Sequence, residues 1–198
     1  MPQLSLTDFV DIVSTSGIPK ATKVRQIKNR LEYRPEFDFY KIIREQIIDI
    51  HKHRQPKNAL ENLTDKLKDP KKKRIYKDIV NGYIRWWGRK TLLWFTPPTL
   101  EFSNHGVTVT VNPELGLKIN GMPHLIKLYF KSDKLVKNKI DIITHLMEIC
   151  LQDNSTSIKM SVLDTRRSKL VTPTVPIENL DAVLDAELAY IAELWKNL

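Results

Sequence analysis

The chain has little of several features that would define a function at once. Its single cysteine, Cys150, excludes an intrachain disulfide and favours a reducing compartment such as the cytoplasm. Six glycines are present, but none forms a glycine-rich phosphate loop or a nucleophile elbow. No apolar run is long enough to cross a membrane, and the N-terminus lacks the pattern of a signal peptide. The five histidines have no metal-ligand spacing, and no repeat occurs.

Positive charge is what the chain has in excess. Among its 198 residues, 32 are lysine or arginine and 23 are aspartate or glutamate, a net charge of +9. This balance favours polyanionic partners, and we expect nucleic acid rather than a membrane, with a homodimer or a protein partner left open. Lysines and arginines at turns and element ends suit contacts to phosphate. The predicted nucleic-acid-binding residues are Lys127, Lys134, Arg166, Arg167, Lys71, Lys72, Lys73, Lys23 and Arg25.

Some of these basic residues have a simpler interpretation. Lys23 and Arg25 lie on a basic helix predicted over Lys20–Arg30, where a solvated helix face is the alternative. Lys71, Lys72 and Lys73 follow Asp69-Pro70, where a linker before a helix is equally consistent with the pattern. The composition therefore predicts an electrostatic partner without fixing the surface that meets it.

Helical periodicity, interrupted by glycine and proline, dominates the first third of the chain. Helices are predicted over 5–16, 20–30, 36–53 and 58–67, with Gly17 and Pro19 ending the first and Tyr33-Arg34-Pro35 breaking the second. We therefore divide the chain into a helical N-terminal region, residues 1–68, and an α/β core, residues 69–198.

One β-hairpin organises the core. Two runs of alternating apolar residues, Val107–Ile119 and Met122–Lys131, flank Asn120-Gly121, the strongest short-range hairpin signal. A two-residue loop pairs Val111 with Phe130, Leu115 with Ile126 and Glu114 with Lys127.

The two faces of this hairpin differ in character. One face is apolar and is predicted to pack inward. The other is predicted to face solvent and collects Glu114, Lys127, Tyr129 and Lys131. The simplest explanation for the presence of Glu114 and Lys127 on this face is an ion pair between them across a half-exposed sheet.

The order of elements from residue 71 onward predicts the fold class. It is helix, strand, strand, strand, helix, strand, helix, with the first strand covering 92–102 and interrupted at Pro97-Pro98. Such an order is typical of an α+β protein with a mixed sheet flanked by helices.

This order, with Pro113-Glu114 on the second strand and Tyr129-Phe130-Lys131 at the end of the third, resembles the restriction-endonuclease-like PD-(D/E)XK superfamily. The resemblance covers about residues 71–198 and implies an αβββαβ core. It also implies a nucleic-acid-processing activity that depends on Mg²⁺. By this resemblance the catalytic residues are Glu114, Lys131 and Tyr129, with Glu114 as metal ligand and Lys131 positioning the attacking water.

The motif departs from the family pattern at one position. Tyr129 stands where the second carboxylate belongs, and a neutral phenol is a poor ligand for Mg²⁺. Asp78, Glu101 and Asp164 are the candidates to replace that carboxylate. The alternative to an active nuclease is a catalytically inactive nuclease-like domain with a regulatory, structural or protein-interaction role.

Four aromatic residues near the start of the sheet have two interpretations. Trp86, Trp87, Trp94 and Phe95 could stack on nucleic-acid bases, as in single-strand binders. Aromatic residues next to a predicted strand are more often part of the core, and that is the interpretation the pattern favours.

Overall fold

The computed structural model describes residues 1–31, 34, 38–65, 67–152, 157–175 and 177–198. Within this part of the chain there are seven α-helices and two mixed sheets, which confirms the α+β class and the helical N-terminal region. The helices are α1 (Leu6–Val13), α2 (Gly17–Lys28), α3 (Lys41–Lys52), α4 (Glu61–Asp65), α5 (Pro70–Trp87), α6 (Lys137–Leu151) and α7 (Leu180–Asn197). The strands are β1 (Gln3–Ser5), β2 (Leu92–Phe95), β3 (Leu100–Asn104), β4 (Val107–Val111), β5 (Leu115–Ile119), β6 (Met122–Tyr129), β7 (Lys159–Asp164) and β8 (Lys169–Val171).

The larger sheet has five strands in the order β2-β5-β6-β7-β8. Helix α6 carries the chain from β6 to the parallel strand β7, and every other neighbouring pair is antiparallel. The smaller sheet has the order β1-β4-β3, with β1 parallel and β3 antiparallel to β4.

The predicted strand Val107–Ile119 is wrong, because it is two strands in two different sheets. Val111, the last residue of β4, pairs with Leu100 of β3, so the predicted pairing of Val111 with Phe130 does not occur. Proline has no backbone N–H to donate to a sheet, and Pro113 lies at the point where the chain leaves one sheet for the other. Prolines have the same effect between β2 and β3, which the sequence predicted as one strand and which lie in separate sheets.

The Asn-Gly turn and its register are confirmed. Asn120 and Gly121 have φ values of 49° and 92°, the positive angles that a two-residue hairpin turn requires. Strands β5 and β6 pair Leu115 with Ile126 and Ile119 with Met122, as the two-residue loop predicted. The start of β5 and the end of β6 therefore lie side by side.

Both faces of the five-stranded sheet are buried, so the predicted solvent-facing side of the hairpin is wrong. Helices α3 and α5 cover one face and pack on Leu115, Ile126 and Leu163. Helices α1, α6 and α7, with the small sheet, form a second cluster over the other face, which includes Leu125 and Val162. A sheet covered on both sides has no wet face, and its polar residues must find partners inside the protein.

The N-terminal helical region shares a core with the rest of the chain. Strand β1 pairs with β4, and Leu4, Phe9 and Val24 belong to the same buried cluster as Val107 and Leu188. The proposed division at residue 68 remains a prediction.

One helix boundary in this N-terminal region differs from the sequence prediction, and a second falls mostly outside the described residues. Gly17 and Pro19 begin α2 rather than ending α1, because Gly17 adopts φ 62° and proline fits the first helical turn. The predicted break at residues 33–35 and the helix start at residue 36 lie mostly outside the described residues.

A close approach of helix to turn fixes the end of β6. A Cβ atom on Gly82 of α5 would lie 1.9 Å from the carbonyl oxygen of Thr165, so only glycine allows this contact. The backbone N–H and the hydroxyl of Thr165 both donate to the carbonyl of Tyr129, at 3.1 and 2.9 Å. Helix α5, the turn after β7 and the end of β6 are thereby held together. No helix in the described part of the chain is long and apolar enough to span a membrane.

Candidate functional site

A cleft of about 1150 Å³ opens where β5 begins and β6 ends. Helix α1, the residues before and within α3, the end of β2 and the start of α6 form its walls. All four polar residues that the sequence predicted together, Glu114, Lys127, Tyr129 and Lys131, line this cleft. The clustering of these four residues is therefore confirmed, although the surface that they form is largely buried.

The pair of Glu114 and Lys127 is a closed arrangement at the base of the cleft. Lys127 Nζ lies 2.7 Å from Glu114 Oε1. The side chain of Lys127 is only 8% exposed and that of Glu114 only 12%. Lys127 also donates to the backbone oxygen and the Oδ1 of Asn112, at 2.8 and 3.2 Å. The other carboxylate oxygen of Glu114 accepts from the backbone N–H of Leu128 at 2.8 Å. All three ammonium protons of Lys127 are used, so this residue is satisfied without any ligand.

Tyr129 has a buried phenol without a hydrogen-bond partner among the described residues. Its side chain belongs to the core cluster that includes Leu125 and Val162. Burial raises the pKa of Tyr129 to about 12, and the nearby carboxylates of Asp133 and Asp11 contribute to this rise. The phenol is therefore a neutral hydrogen-bond donor at physiological pH rather than a substitute for a carboxylate.

Lys131 and Lys139 share one carboxylate, and this group is open to solvent on one side. Lys131 Nζ lies 2.6 Å from Asp11 Oδ2, and Lys139 Nζ lies 3.0 Å from Asp11 Oδ1. Burial alone would raise the pKa of Asp11, but the hydrogen bonds and charges of the two lysines outweigh it and lower the pKa below its usual range. The side chain of Lys131 is 35% exposed. Each lysine uses one ammonium proton on Asp11 within the described structure, which leaves two for another acceptor.

Asp11 is one of the residues of this site that the sequence did not predict. It lies on α1, whose apolar residues Leu6, Phe9, Val10 and Ile12 are buried. Asp8, three residues earlier on the same helix, also lines the cleft and pairs with Arg30 at 2.8 and 3.1 Å, and this hydrogen bonding raises the pKa of the guanidinium. Two aspartates three residues apart on one face of an otherwise apolar helix were the available signal.

The three carboxylates proposed to complete a metal site lie elsewhere. Asp164 pairs with Arg167 at 3.0 Å, Asp78 lies 3.9 Å from Arg166, and Glu101 accepts from the side chain of Gln3. None of the three lines the cleft.

Arg166 and Arg167, predicted to contact nucleic acid, are occupied with the protein's own backbone. Arg166 Nε donates to the carbonyl of Phe130 at 2.7 Å. Arg167 donates to the carbonyls of Ser132 and Asp133 and to Asp164. Both arginines stabilise the turn that follows β6, and they support the cleft from outside.

The remaining predicted contacts lie outside the cleft lining. Lys134 is exposed in the connection after β6, and Lys23 and Arg25 lie on α2. Lys71, Lys72 and Lys73 form the first turn of α5, and Lys72 Nζ lies 5.6 Å from the centre of the Phe39 ring, which is part of the cleft wall. The structure thus brings the basic first turn of α5 close to the cleft, whereas Lys23 and Arg25 on α2 do not line it.

Of the four aromatic residues with two interpretations, only Trp94 lines the cleft. Trp86 is 4% exposed in the core, Phe95 packs against the opposite core cluster, and Trp87 lies against His51 with ring centres 4.6 Å apart. Trp94 is half-buried on β2.

The charges that line the cleft are mostly positive, and its donor set does not fit a magnesium ion. Among the described residues, seven basic and four acidic side chains line it, an excess of three positive charges. Both oxygens of Glu114 and both oxygens of Asp11 accept hydrogen bonds from protein groups. In the part of the chain that the structure describes, no group of three or more histidine, cysteine, aspartate or glutamate residues could hold a metal. This combination of charge and donors suits an anion better than a metal cation.

Comparison with known proteins adds no relative. No protein-family model, curated protein or solved structure matches the chain.

Proposed function

We propose that this protein binds nucleic acid on a nuclease-like core and that the cleft receives the phosphate backbone. The observation that carries the proposal is the excess of positive charge in the cleft lining. The cleft lies where the start of β5 adjoins the end of β6. In the superfamily that the sequence resembles, this is where the second and third strands carry the functional residues. Positive side chains that release counterions from phosphates supply affinity for any nucleic acid. A nucleic-acid partner is consistent with the cytoplasmic location that the single cysteine favours.

Lys131 and Lys139 are the residues that we assign to phosphate. Counting contacts to described residues, each retains ammonium protons for a second acceptor, whereas Lys127 has none to give. Lys52, at the end of α3, and Arg34 are exposed along the same lining and extend the positive surface. The proposal therefore moves the main contact from the predicted Lys127 to Lys131 and adds Lys139.

Salt-dependent binding is the test of this proposal. Fluorescence anisotropy with a labelled oligonucleotide should show tight binding at low salt and a steep loss of affinity as salt rises. The double variant Lys52→Gln/Lys131→Gln should bind more weakly, with a salt slope smaller by about 1 for each lost phosphate contact. The matched control is Lys118→Gln/Lys169→Gln, because both lysines are exposed and lie outside the cleft.

The outcome of this experiment separates two classes of function. Equal losses in the cleft and control variants would contradict the assignment of the cleft. Absence of binding to any nucleic acid at low salt would instead favour a regulatory, structural or protein-interaction role for the nuclease-like core.

A metal-dependent nuclease, which the resemblance implies, is the second candidate, and the position of Asp11 is the observation that bears on it. Asp11 lies in the cleft that holds Glu114 and Lys131, the residues to which the resemblance assigns metal binding and water positioning. Because protein groups already occupy both oxygens of Asp11 and of Glu114, a metal ion would bind only after displacing them. Incubation with plasmid and single-stranded DNA, with Mg²⁺ or Mn²⁺, tests this candidate. Cleavage should be lost in Glu114→Ala and in Lys131→Ala, and cleavage that survives in both folded variants would exclude the assignment.

A further inference from the structure

We propose that the cleft binds single-stranded rather than double-stranded nucleic acid, with a base against its aromatic wall and a phosphate at Lys131 and Lys139. This inference rests on the proposed function and names its substrate class. The observations that carry it are the composition of the wall, the position of the lysines and the size of the cleft.

An ordered group of aromatic rings forms one wall of the cleft. Tyr40 stacks on Phe130, with ring centres 5.4 Å apart and an angle of 23° between the planes. Phe39 packs edge-on against Tyr40, with centres 5.1 Å apart. All three residues line the cleft, and Tyr40 is only partly buried. Rings held in place by neighbouring rings offer a stacking surface at little cost in side-chain entropy.

Trp94 adds a second aromatic surface to the same cleft. It lies on β2, beside Leu117 of β5, and it packs against the same core cluster as Phe39 and Tyr40. Its indole is half-buried, so part of the ring remains available to a ligand. Proteins that bind single strands without reading sequence combine such aromatic surfaces with a positive groove.

The state of the bases decides between a single strand and a duplex. In a duplex the bases stack on one another, and the outer surface presents phosphates and the edges of bases. A ring such as Tyr40 or Trp94 can stack on a base only after the base leaves the duplex, which costs a few kcal/mol. A cleft with an aromatic wall and lysines at its edge is therefore complementary to a strand whose bases are already free.

The lysine pair already binds one anionic group, the carboxylate of Asp11, and can bind a second beside it. The two oxygens of Asp11 each accept from one lysine, at 2.6 and 3.0 Å. A phosphate group presents oxygens of the same kind and can accept the ammonium protons that Asp11 leaves unused. The cleft volume of about 1150 Å³ lies slightly above the usual range of small-molecule pockets, which suits a few nucleotides of one strand.

The test compares one oligonucleotide as a single strand and as a duplex, in both DNA and RNA forms. We expect the single strand to bind more tightly by about tenfold or more and to quench the tryptophan fluorescence. Trp94→Phe should remove most of the quenching while keeping an aromatic ring for binding. Trp94→Ala and Tyr40→Ala should each weaken single-strand binding by about tenfold, with little effect on duplex binding.

Trp87→Phe is the matched control, because Trp87 lies outside the cleft against His51 and should leave the quenching intact. Thermal unfolding of each variant establishes that it is folded before binding is measured. Equal affinity for both forms, with no effect of Trp94 or Tyr40 but a retained effect of Lys131, would overturn this inference and leave the proposed function standing. Failure of every oligonucleotide to bind at low salt would overturn both.

Discussion

Two lysine–carboxylate groups line the same cleft, and they differ in how completely the protein satisfies them. Lys127 and Glu114 are almost fully buried, and four protein contacts use all three protons of the ammonium and both oxygens of the carboxylate. Lys131 and Lys139 meet at Asp11 with one contact each and remain partly exposed. The first group has no ammonium proton left for a ligand, whereas the second group lines the cleft and, in the described part of the chain, keeps protons that no protein group accepts.

The comparison shows why proximity to a motif does not identify a binding residue. Lys127 lies within β6 and Lys131 lies two residues after its end, and both were predicted site residues. Their roles differ because one donates to Asn112 and Glu114 inside the protein and the other shares Asp11 with a second lysine at the surface. Free hydrogen-bonding capacity, rather than charge alone, distinguishes a ligand contact from a structural ion pair.

The largest expected effect is the loss of stability when Lys127 is replaced. Lys127→Met should lower the free energy of unfolding by about 3–5 kcal/mol, because it leaves the buried carboxylate of Glu114 without its counter-charge. Urea denaturation measures this change. Lys131→Met is the control and should cost at most about 1 kcal/mol, because its pair with Asp11 is partly exposed and Lys139 remains. Equal costs for the two variants would remove the distinction between the groups.

A smaller effect is expected in the acid dependence of stability. The pKa of Asp11 is lowered in the folded protein, so its contribution to stability is present above its ordinary pKa of 3.8 and is lost as the pH falls through the folded value. The wild type should therefore exceed Asp11→Asn in unfolding free energy by about 1 kcal/mol at neutral pH. The difference should shrink below about pH 4 when urea denaturation is repeated in acid. A difference that is constant with pH would show that the carboxylate charge of Asp11 contributes nothing.

The smallest expected effect is on binding, where removing the carboxylate of the open group should raise the affinity and removing that of the closed group should not change it. Asp11→Asn should raise the affinity for a single-stranded oligonucleotide about threefold, because it removes the charge that competes with phosphate for Lys131 and Lys139. Glu114→Gln should leave the affinity unchanged, because the amide oxygen can still accept from Lys127, whose other two protons remain on Asn112. Anisotropy at one low salt concentration suffices, and weaker binding by Asp11→Asn would mean that Asp11 positions the lysines rather than competing for them.

The local signals of the hairpin were sufficient to predict its turn. Asn120-Gly121 adopts the predicted turn because glycine tolerates positive φ and asparagine adopts it more readily than most residues, and the pairing of Leu115 with Ile126 follows from the loop length. The same apolar alternation did not reveal that Val107–Val111 and Leu115–Ile119 belong to different sheets. Alternation continues in phase across Pro113, so periodicity alone could not detect a break that proline causes.

The sequence predicted the residues of the site that lie on the hairpin but not those that tertiary packing brings to it. Glu114, Lys127, Tyr129 and Lys131 were predicted to cluster because turn and register bring them together within one hairpin. Asp11 is distant in sequence and reaches the cleft through the packing of α1 against the sheet. The spacing of Asp8 and Asp11 marks a polar face on α1 but does not reveal which part of the protein that face meets. The burial of Lys127 and Tyr129 likewise depends on the helices and the small sheet that cover that face.

The sequence by itself determined the α+β class, the Asn-Gly hairpin and the positive charge of the protein, because propensity, periodicity and composition are properties of neighbouring residues. Only the tertiary structure decided which lysine is satisfied and which retains donors, and which aromatic side chain lines the cleft. Those outcomes depend on contacts between residues that are far apart in the chain, such as Asp11 with Lys131, and on which face of a sheet the packing helices cover.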